Sequence, residues 1–543
     1  MTARKRRVWL LAAVALAPSA SGDTGSAACA DCHREIYDRY SRTPMAASSG
    51  PIGGGLAAEQ FARAEFTHQP TGFRYRVYRK GKQYFLEYRK TDGSSQGTKP
   101  LAWFVGSGAT ARSYVLADDG FLFEAPVAYY AQGSRWDLAP NYDRYAYPYL
   151  TRPVQPGCLT CHASFLKPLP GTQNRFASPP FGEPGIACER CHGSGERHIA
   201  LMRAGRSEGG AGIVNPATLP AEARDSICGQ CHLPGEVRVM RPGRDWRSFQ
   251  PGDRLSASMT VFVRSSAGPG MTVTGHVEKL AQSACKRSAG DRLWCGSCHD
   301  PHSVPRPADR AQWFRGKCLA CHEDSACTET RAARLKRADD CTACHMPKNA
   351  VVDAQHVVYT DHSIPRRPRR SPAAVRAEAG LVPFGGGPAN PRDLALAYAI
   401  AAPRDSTGAW RSHALAMLQQ AERESPDDVE VLMYLGELYR NGRQPDLAVP
   451  LFERAIGLDP GQVTASVGLG GIMMERARYA DAIRLWEDAL AKNAGLELVR
   501  TNLAMAYWRS GNLQAAESHL KEAVDLNPGF DVPAGLLKQL RRP

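Results

Sequence analysis

Cys295-Gly-Ser-Cys298-His299-Asp-Pro-His302 is the stretch from which the rest of the chain is read. Two cysteines three positions apart lie about one helical turn from each other, and the histidine that follows sets an imidazole beside them. That is the spacing at which a c-type haem is attached, with both vinyl groups on thiols and the imidazole under the iron. The same C-x-x-C-H spacing recurs seven times. In chain order, motifs 1 to 7 are Cys29/Cys32/His33, Cys158/Cys161/His162, Cys188/Cys191/His192, Cys228/Cys231/His232, Cys295/Cys298/His299, Cys318/Cys321/His322 and Cys341/Cys344/His345. Zinc ribbons also use C-x-x-C pairs, but zinc does not require histidine directly after the second cysteine. With only 15 histidines in the chain, seven such placements are not chance. Sixteen cysteines in an exported chain would otherwise suggest a disulfide framework. The motifs consume all of them except Cys285 and Cys327, which remain either as a disulfide or as two free thiols.

If the seven motif histidines are proximal ligands, eight histidines remain. His413 and His519 fall in a helical region described below. The other six, His68, His198, His276, His302, His356 and His362, are expected as second ligands. His302 stands three residues after a proximal ligand and cannot swing across its own porphyrin, so it must reach a neighbouring haem. The same holds for His198, close behind His192. Six second histidines for seven irons leave one short. Motif 1 is the expected exception, because 124 residues (Arg34 to Gly157) separate it from motif 2. Met45, in Tyr40-Ser-Arg-Thr-Pro-Met45, is then either its thioether ligand or a side chain packed on a haem edge, with some iron left open.

Outward from the motifs, 543 residues suggest two or three domains. Residues 1–22 form an expected signal peptide: basic Arg4 to Arg7, an apolar run Val8 to Ala17, then small Ser19-Ala20-Ser21-Gly22. Ten apolar residues are too few to span a bilayer, so a soluble protein outside the cytoplasm (periplasmic or extracellular) is expected. Residues 23–364 read as a heptahaem cytochrome c domain with a β-rich insertion at about 60–150. Within the insertion, Phe73 to Val77 turns at Lys80-Gly81-Lys82 into Tyr84 to Tyr88, and Ser113 to Leu116 turns at Asp118-Asp119-Gly120 into Phe121 to Glu124. Its aromatic residues, among them Trp103, Trp136 and the Tyr142/Tyr145/Tyr147/Tyr149 series, are expected to pack on haem edges. From Cys158 to His345, six motifs share 188 residues. Too little chain is left for an apolar core around each cofactor, so the haems themselves are expected to be the core.

Residues 365–392, rich in Arg, Pro and Gly, read as a linker with little contact on either side. Beyond it a 34-residue period is plain in Ala448/Phe452/Ala455/Pro460, Ala482/Trp486/Ala489/Ala494 and Ala516/Leu520/Ala523/Pro528. Leu435-Gly436-Tyr439, Leu469-Gly470-Met473 and Leu503-Ala504-Tyr507 keep step in the preceding helix. This is the tetratricopeptide pattern, assigned to residues 393–541 with a weaker first copy (Ala414, Leu418, Ala421, Pro426) and a capping helix at 529–541. The expected fold class is mainly α: a haem-packed domain with a β-rich insertion, then a helical solenoid. The net charge of +14 is spread along the chain. Export argues against nucleic acid as its target, and haem propionates offset part of it.

The whole resembles exported multihaem cytochromes with C-terminal tetratricopeptide repeats. The haem part is similar to the superfamily of nitrifier tetrahaem cytochrome, hydroxylamine oxidoreductase and ammonia-forming nitrite reductase. The residues carrying this are Cys29-x-x-Cys-His33-x-x-Ile36-Tyr37-x-x-Tyr40-x-x-Thr43-x-Met45, Gly106-Ser107-Gly108 with Arg112-Ser113-Tyr114, Gly275-His276-Val277-Glu278, Cys298-His299-Asp300-Pro301-His302 and Gln355-His356-x-x-Tyr-Thr-Asp-His362. The nitrite reductases carry lysine in place of histidine at the catalytic motif; none of the seven motifs does, so that activity is not carried over. The resemblance implies an electron carrier between redox partner proteins, with the repeats docking a protein or peptide. The alternatives are an oxidoreductase for a small nitrogen or sulfur compound at a haem lacking a distal histidine, and a redox-reporting scaffold.

Overall fold

A nine-stranded antiparallel sheet fills the stretch between motifs 1 and 2. The computed structural model describes residues 24–57, 59–206, 212–266, 270–367 and 379–542, so the expected signal peptide and part of the expected linker lie outside the described residues. The strands are β1 (Ser49–Pro51), β2 (Glu65–His68), β3 (Phe73–Lys80), β4 (Gln83–Lys90), β5 (Gln96–Val105), β6 (Ala111–Asp118), β7 (Phe121–Tyr130), β8 (Arg135–Leu138) and β9 (Arg152–Pro153). They run in the order β2-β3-β4-β5-β6-β7-β8, with β1 on β5 and β9 on β7. β2 comes back against β8, so the sheet curls towards a barrel.

Both hairpins legible in the sequence are present, with Lys80 paired to Gln83 and Asp118 to Phe121. At the second turn Asp119 and Gly120 both take positive φ (44° and 78°), as a two-residue turn that matches strand twist requires. The expected fold class is corrected here: the sheet is a major layer, and the chain is α+β, not mainly α. The strands without a forecast were β1, β2, β5, β8 and β9, and of β7 only the first four residues, Phe121 to Glu124, were read. β7, Phe-Leu-Phe-Glu-Ala-Pro-Val-Ala-Tyr-Tyr, is buried along almost its whole length, so it lacks the in/out alternation that marks a half-exposed strand. The aromatic residues expected on haem edges mostly serve this sheet. Trp136 packs between Tyr114 (5.3 Å) and Phe61 (5.6 Å), and Tyr130 and Tyr142 are fully buried with it.

The motif region contrasts with the sheet. Each motif sits on or beside a short helix, among them Ser26–Tyr40, Glu189–His192, Ala221–His232, Arg310–Leu319 and Cys341–His345. From Ala284 to Ala350, a stretch that contains motifs 5 to 7, no residue is buried. Helices without an apolar core are held by something other than their own side chains.

The repeats follow as helix pairs 391–401/409–424, Val429–Asn441/Pro445–Leu458, Val463–Glu475/Tyr479–Lys492 and Glu497–Arg509/Leu513–Leu526, closed by Asp531–Leu540. Their glycines mark close helix approach: a Cβ on Gly436 would lie 2.6 Å from Phe452, and one on Gly470 2.5 Å from Trp486. Contact with the rest of the chain is larger than the linker composition suggests. Strand Leu381–Pro383 pairs with Met259–Arg264, and Val237, Val239 and Phe262 share one core with the first repeat helices. Fully buried Asp393 accepts from Arg241 (2.8 Å) and Thr260 (2.6 Å). At the far end Asn527 accepts from the Leu150 amide (2.6 Å) and donates to Thr151 (2.8 Å), while the Tyr147 hydroxyl donates to Glu497 (2.6 Å). The solenoid is thus fastened at both ends.

Candidate functional site

All seven motifs line one connected cavity of about 3390 Å³. A site for a single small ligand has about 300–1,000 Å³, so this space suits several cofactors side by side. Motif 2 reaches it through Cys161 and His162, and the other six through both cysteines and the histidine. Cationic side chains such as Arg190, Arg224, Arg292, Arg315, Arg334 and Arg366 line the same space, where they would face carboxylates.

Four motif histidines have a second histidine ring opposite. Ring centroids are 6.2 Å apart for His33 and His198, 5.8 Å for His192 and His302, 6.2 Å for His299 and His362, and 5.2 Å for His232 and His276. Two imidazoles on opposite sides of one metal ion, each at about 2 Å, put their centroids roughly 6 Å apart. The rings of the first three pairs lie within 16°, 13° and 27° of parallel; those of the fourth are nearly perpendicular at 82°. Burial pushes His162 and His299 down to about 4 and His276 to about 3, and it also lowers His232, His302 and His362. These rings are therefore held neutral, the form that ligates a metal. His192 Nδ1 lies 2.8 Å from the Val214 carbonyl and His362 Nδ1 2.9 Å from that of Thr360, which leaves Nε2 for ligation. The buried Nδ1 atoms of His162, His232 and His276 have no hydrogen-bond partner. Donor chemistry, ring separation and cavity size all fit haem.

Two of the residues assigned from sequence stand elsewhere than expected. His68 lies on β2, its Nδ1 2.9 Å from Thr71 Oγ1, outside the cavity lining. His356 belongs to the sheet as well: Nε2 lies 2.8 Å from Asp137 and Nδ1 3.0 Å from Arg135, so both ring nitrogens are engaged. Four of the six, His198, His276, His302 and His362, lie opposite a motif histidine, and the ring opposite His33 of motif 1 is that of His198. Met45 does line the cavity, but its carbonyl accepts from Ile186, beside motif 3, and from Ser48, whose hydroxyl also lies 2.8 Å from the His162 carbonyl. The histidines without an opposing ring among the described residues are His162, His322 and His345. Cys285 and Cys327 are not joined to each other.

Functional positions also lie between the cysteines of the motifs, and none of them is among the residues assigned from sequence. Arg190, inside motif 3, donates to Thr160 of motif 2 (3.3 Å) and to Gln230 of motif 4 (2.6 Å); Gln230 donates back to the Arg190 carbonyl (3.1 Å). Glu189 accepts from the amides of Gly25 (3.1 Å) and Gly195 (2.8 Å), tying motif 3 to the start of the motif 1 helix. The only advance signal was charge at motif interiors that chemistry leaves free to vary.

Comparison with known proteins agrees with this arrangement. Residues 144–193, which hold motifs 2 and 3, match the cytochrome c554 and c-prime family, and residues 412–463 and 468–529 match the tetratricopeptide repeat. The architecture is cytochrome plus tetratricopeptide repeats. No curated protein sequence matches. Similar solved structures include a crystal structure of MamA (20% identity, TM-score 0.24, covering 25% of this chain and 80% of that one). Another is YrrB, titled a TPR protein with an unusual peptide-binding site (22% identity, TM-score 0.24, 26% and 74%). No helix among the described residues is long and apolar enough to cross a membrane.

Proposed function

We propose that the chain is an exported heptahaem cytochrome that relays electrons between redox proteins outside the cytoplasm, with its repeats docking a protein or peptide partner. The observation that carries this reading is the set of four opposed histidine pairs along one cavity lined by all seven motifs. Bound haem would supply one-electron chemistry there. The chain's part would be to hold four of the irons between two imidazoles, several of them buried and neutral, and to set neighbouring motifs in contact through Arg190, Gln230 and Glu189. A relay of this kind is tested by spectroelectrochemical titration. It expects most haems to be low-spin with low potentials and to be reduced and reoxidised without added substrate.

A second reading rests on His162. No ring opposes it among the described residues, and Leu159 of its motif packs on the sheet with Val115 and Leu122, so its iron would be open to a small ligand. Turnover with nitrite, hydroxylamine or sulfite distinguishes this oxidoreductase reading from the relay. Steady consumption of any of the three favours the enzyme, and no consumption of all three favours the relay.

A further inference from the structure

The contacts between motifs form a line with one side arm. Motif 1 meets motif 3: Cys29 and Cys188 lie side by side, the Cys188 amide donates to Ser26 Oγ (3.1 Å), and His198 beyond motif 3 faces His33. Motif 3 meets motif 4 through the reciprocal Arg190–Gln230 bonds. Motif 4 meets motif 5 through the Cys228 and Cys295 thiols and through Arg224, which donates to the Asp291 carbonyl (2.8 Å). Motif 5 meets motif 6, since Phe314 on helix Arg310–Leu319 lies 5.5 Å from His299. Motif 6 meets motif 7 through the Cys318 and Cys341 thiols and the packing of their helices.

Motif 2 touches only motifs 3 and 4 among the described residues. The Cys161 thiol donates to the Gln230 carbonyl (3.8 Å), and the Thr160 carbonyl accepts from Arg190. Every link from motif 1 to motif 7 exists without it. Motif 1, at one end of the line, is open to solvent through Cys32 and His33, and beside the other end Cys321 and His322 of motif 6 are exposed. The motif 2 turn is partly closed in: Cys158 is exposed, but Leu159 and Thr160 are buried and Gly157 lies against Trp246.

We propose that motif 2 is a side station off the motif 3/motif 4 junction, and that through-transfer runs 1–3–4–5–6–7 without it. The inference rests on the relay reading. Each step would oxidise one iron as it reduces the next, with one-electron redox proteins as donor and acceptor at motif 1 and at the motif 6/motif 7 end. A ligand held at the His162 iron would then draw on the line without blocking it.

The test is film voltammetry of the full haem-loaded chain, attached to an electrode through a tag at the mature N-terminus, beside motif 1. The charge exchanged per molecule is read at fast scan rates. Cys158→Ser/Cys161→Ser is expected to lose one haem by mass and one electron from the fast exchange. Cys228→Ser/Cys231→Ser, which cuts the line, is expected to lose several electrons for its one haem. Should the motif 2 double variant lose more than one haem by mass, His162→Met replaces it. That variant keeps the covalent attachment and is expected to shift one redox wave while all electrons stay in fast exchange. Loss of other haems from fast exchange in His162→Met would overturn the side station. A wild-type film that exchanges only the haem nearest the electrode would overturn the relay itself.

Discussion

At the scale of single residues, the assignment that changes most is the partner of His33. His198 sits 6.2 Å from it across the cavity, so His198→Ala is expected to leave the haem content unchanged and to turn one ferric iron from low-spin to high-spin in electron paramagnetic resonance. An unchanged spectrum would mean that His198 is not that iron's ligand. Met45→Ala is expected to leave the ferric near-infrared spectrum as it was, because the place opposite His33 is taken; loss of a thioether-to-iron band would reverse this. The seven motif histidines were legible from residue type and spacing alone, and the structure gathers all seven around one cavity. Which second histidine serves which iron was not, because that depends on how distant segments return to the cavity. His356 shows the limit: its sequence setting matches that of His362, yet Asp137 and Arg135 on β8 hold it.

At the scale of elements, the repeats share buried polar contacts with the rest of the chain at both of their ends. Asp393→Asn removes the charge that faces Arg241 and Arg392 and is expected to cost about 2 kcal/mol, less than a fully buried pair because Arg241 is partly exposed. A melting temperature equal to wild type would show that the pair adds nothing. At the other end burial raises the Glu497 carboxyl above its ordinary range. A raised folded-state value means the folded protein holds its proton longer than the unfolded chain does. The stability this contributes is present at low pH and is lost as pH rises through the folded value. Glu497→Ala is therefore expected to flatten the fall in stability above the ordinary carboxylate range, seen as a smaller pH dependence of melting. The solenoid period was plain in the sequence, since identical small residues recur every 34 positions where helices touch. Its attachment was not, because Arg/Pro/Gly composition says how a segment bends and nothing of the strand Leu381–Pro383 beside it.

At the scale of the whole molecule, two parts have their own apolar cores and one does not. The sheet and the solenoid bury aromatic and aliphatic side chains of their own, whereas residues 284–350 bury none. Stability of that stretch must come from covalent cofactors. Cys318→Ser/Cys321→Ser is expected to make it the first site of protease cleavage while the repeats stay intact. Cleavage scattered evenly along the chain would contradict this division. The sheet was the part of the fold least legible beforehand, because a strand buried on both faces carries no alternation to read. Everything above depends on one haem at each of the seven motifs, and intact-protein mass spectrometry of the fully matured chain, backed by a pyridine haemochrome assay against protein concentration, measures that number. Seven haem masses on a chain cleaved near residue 22 is the expected result; six or fewer in fully matured protein would contradict it.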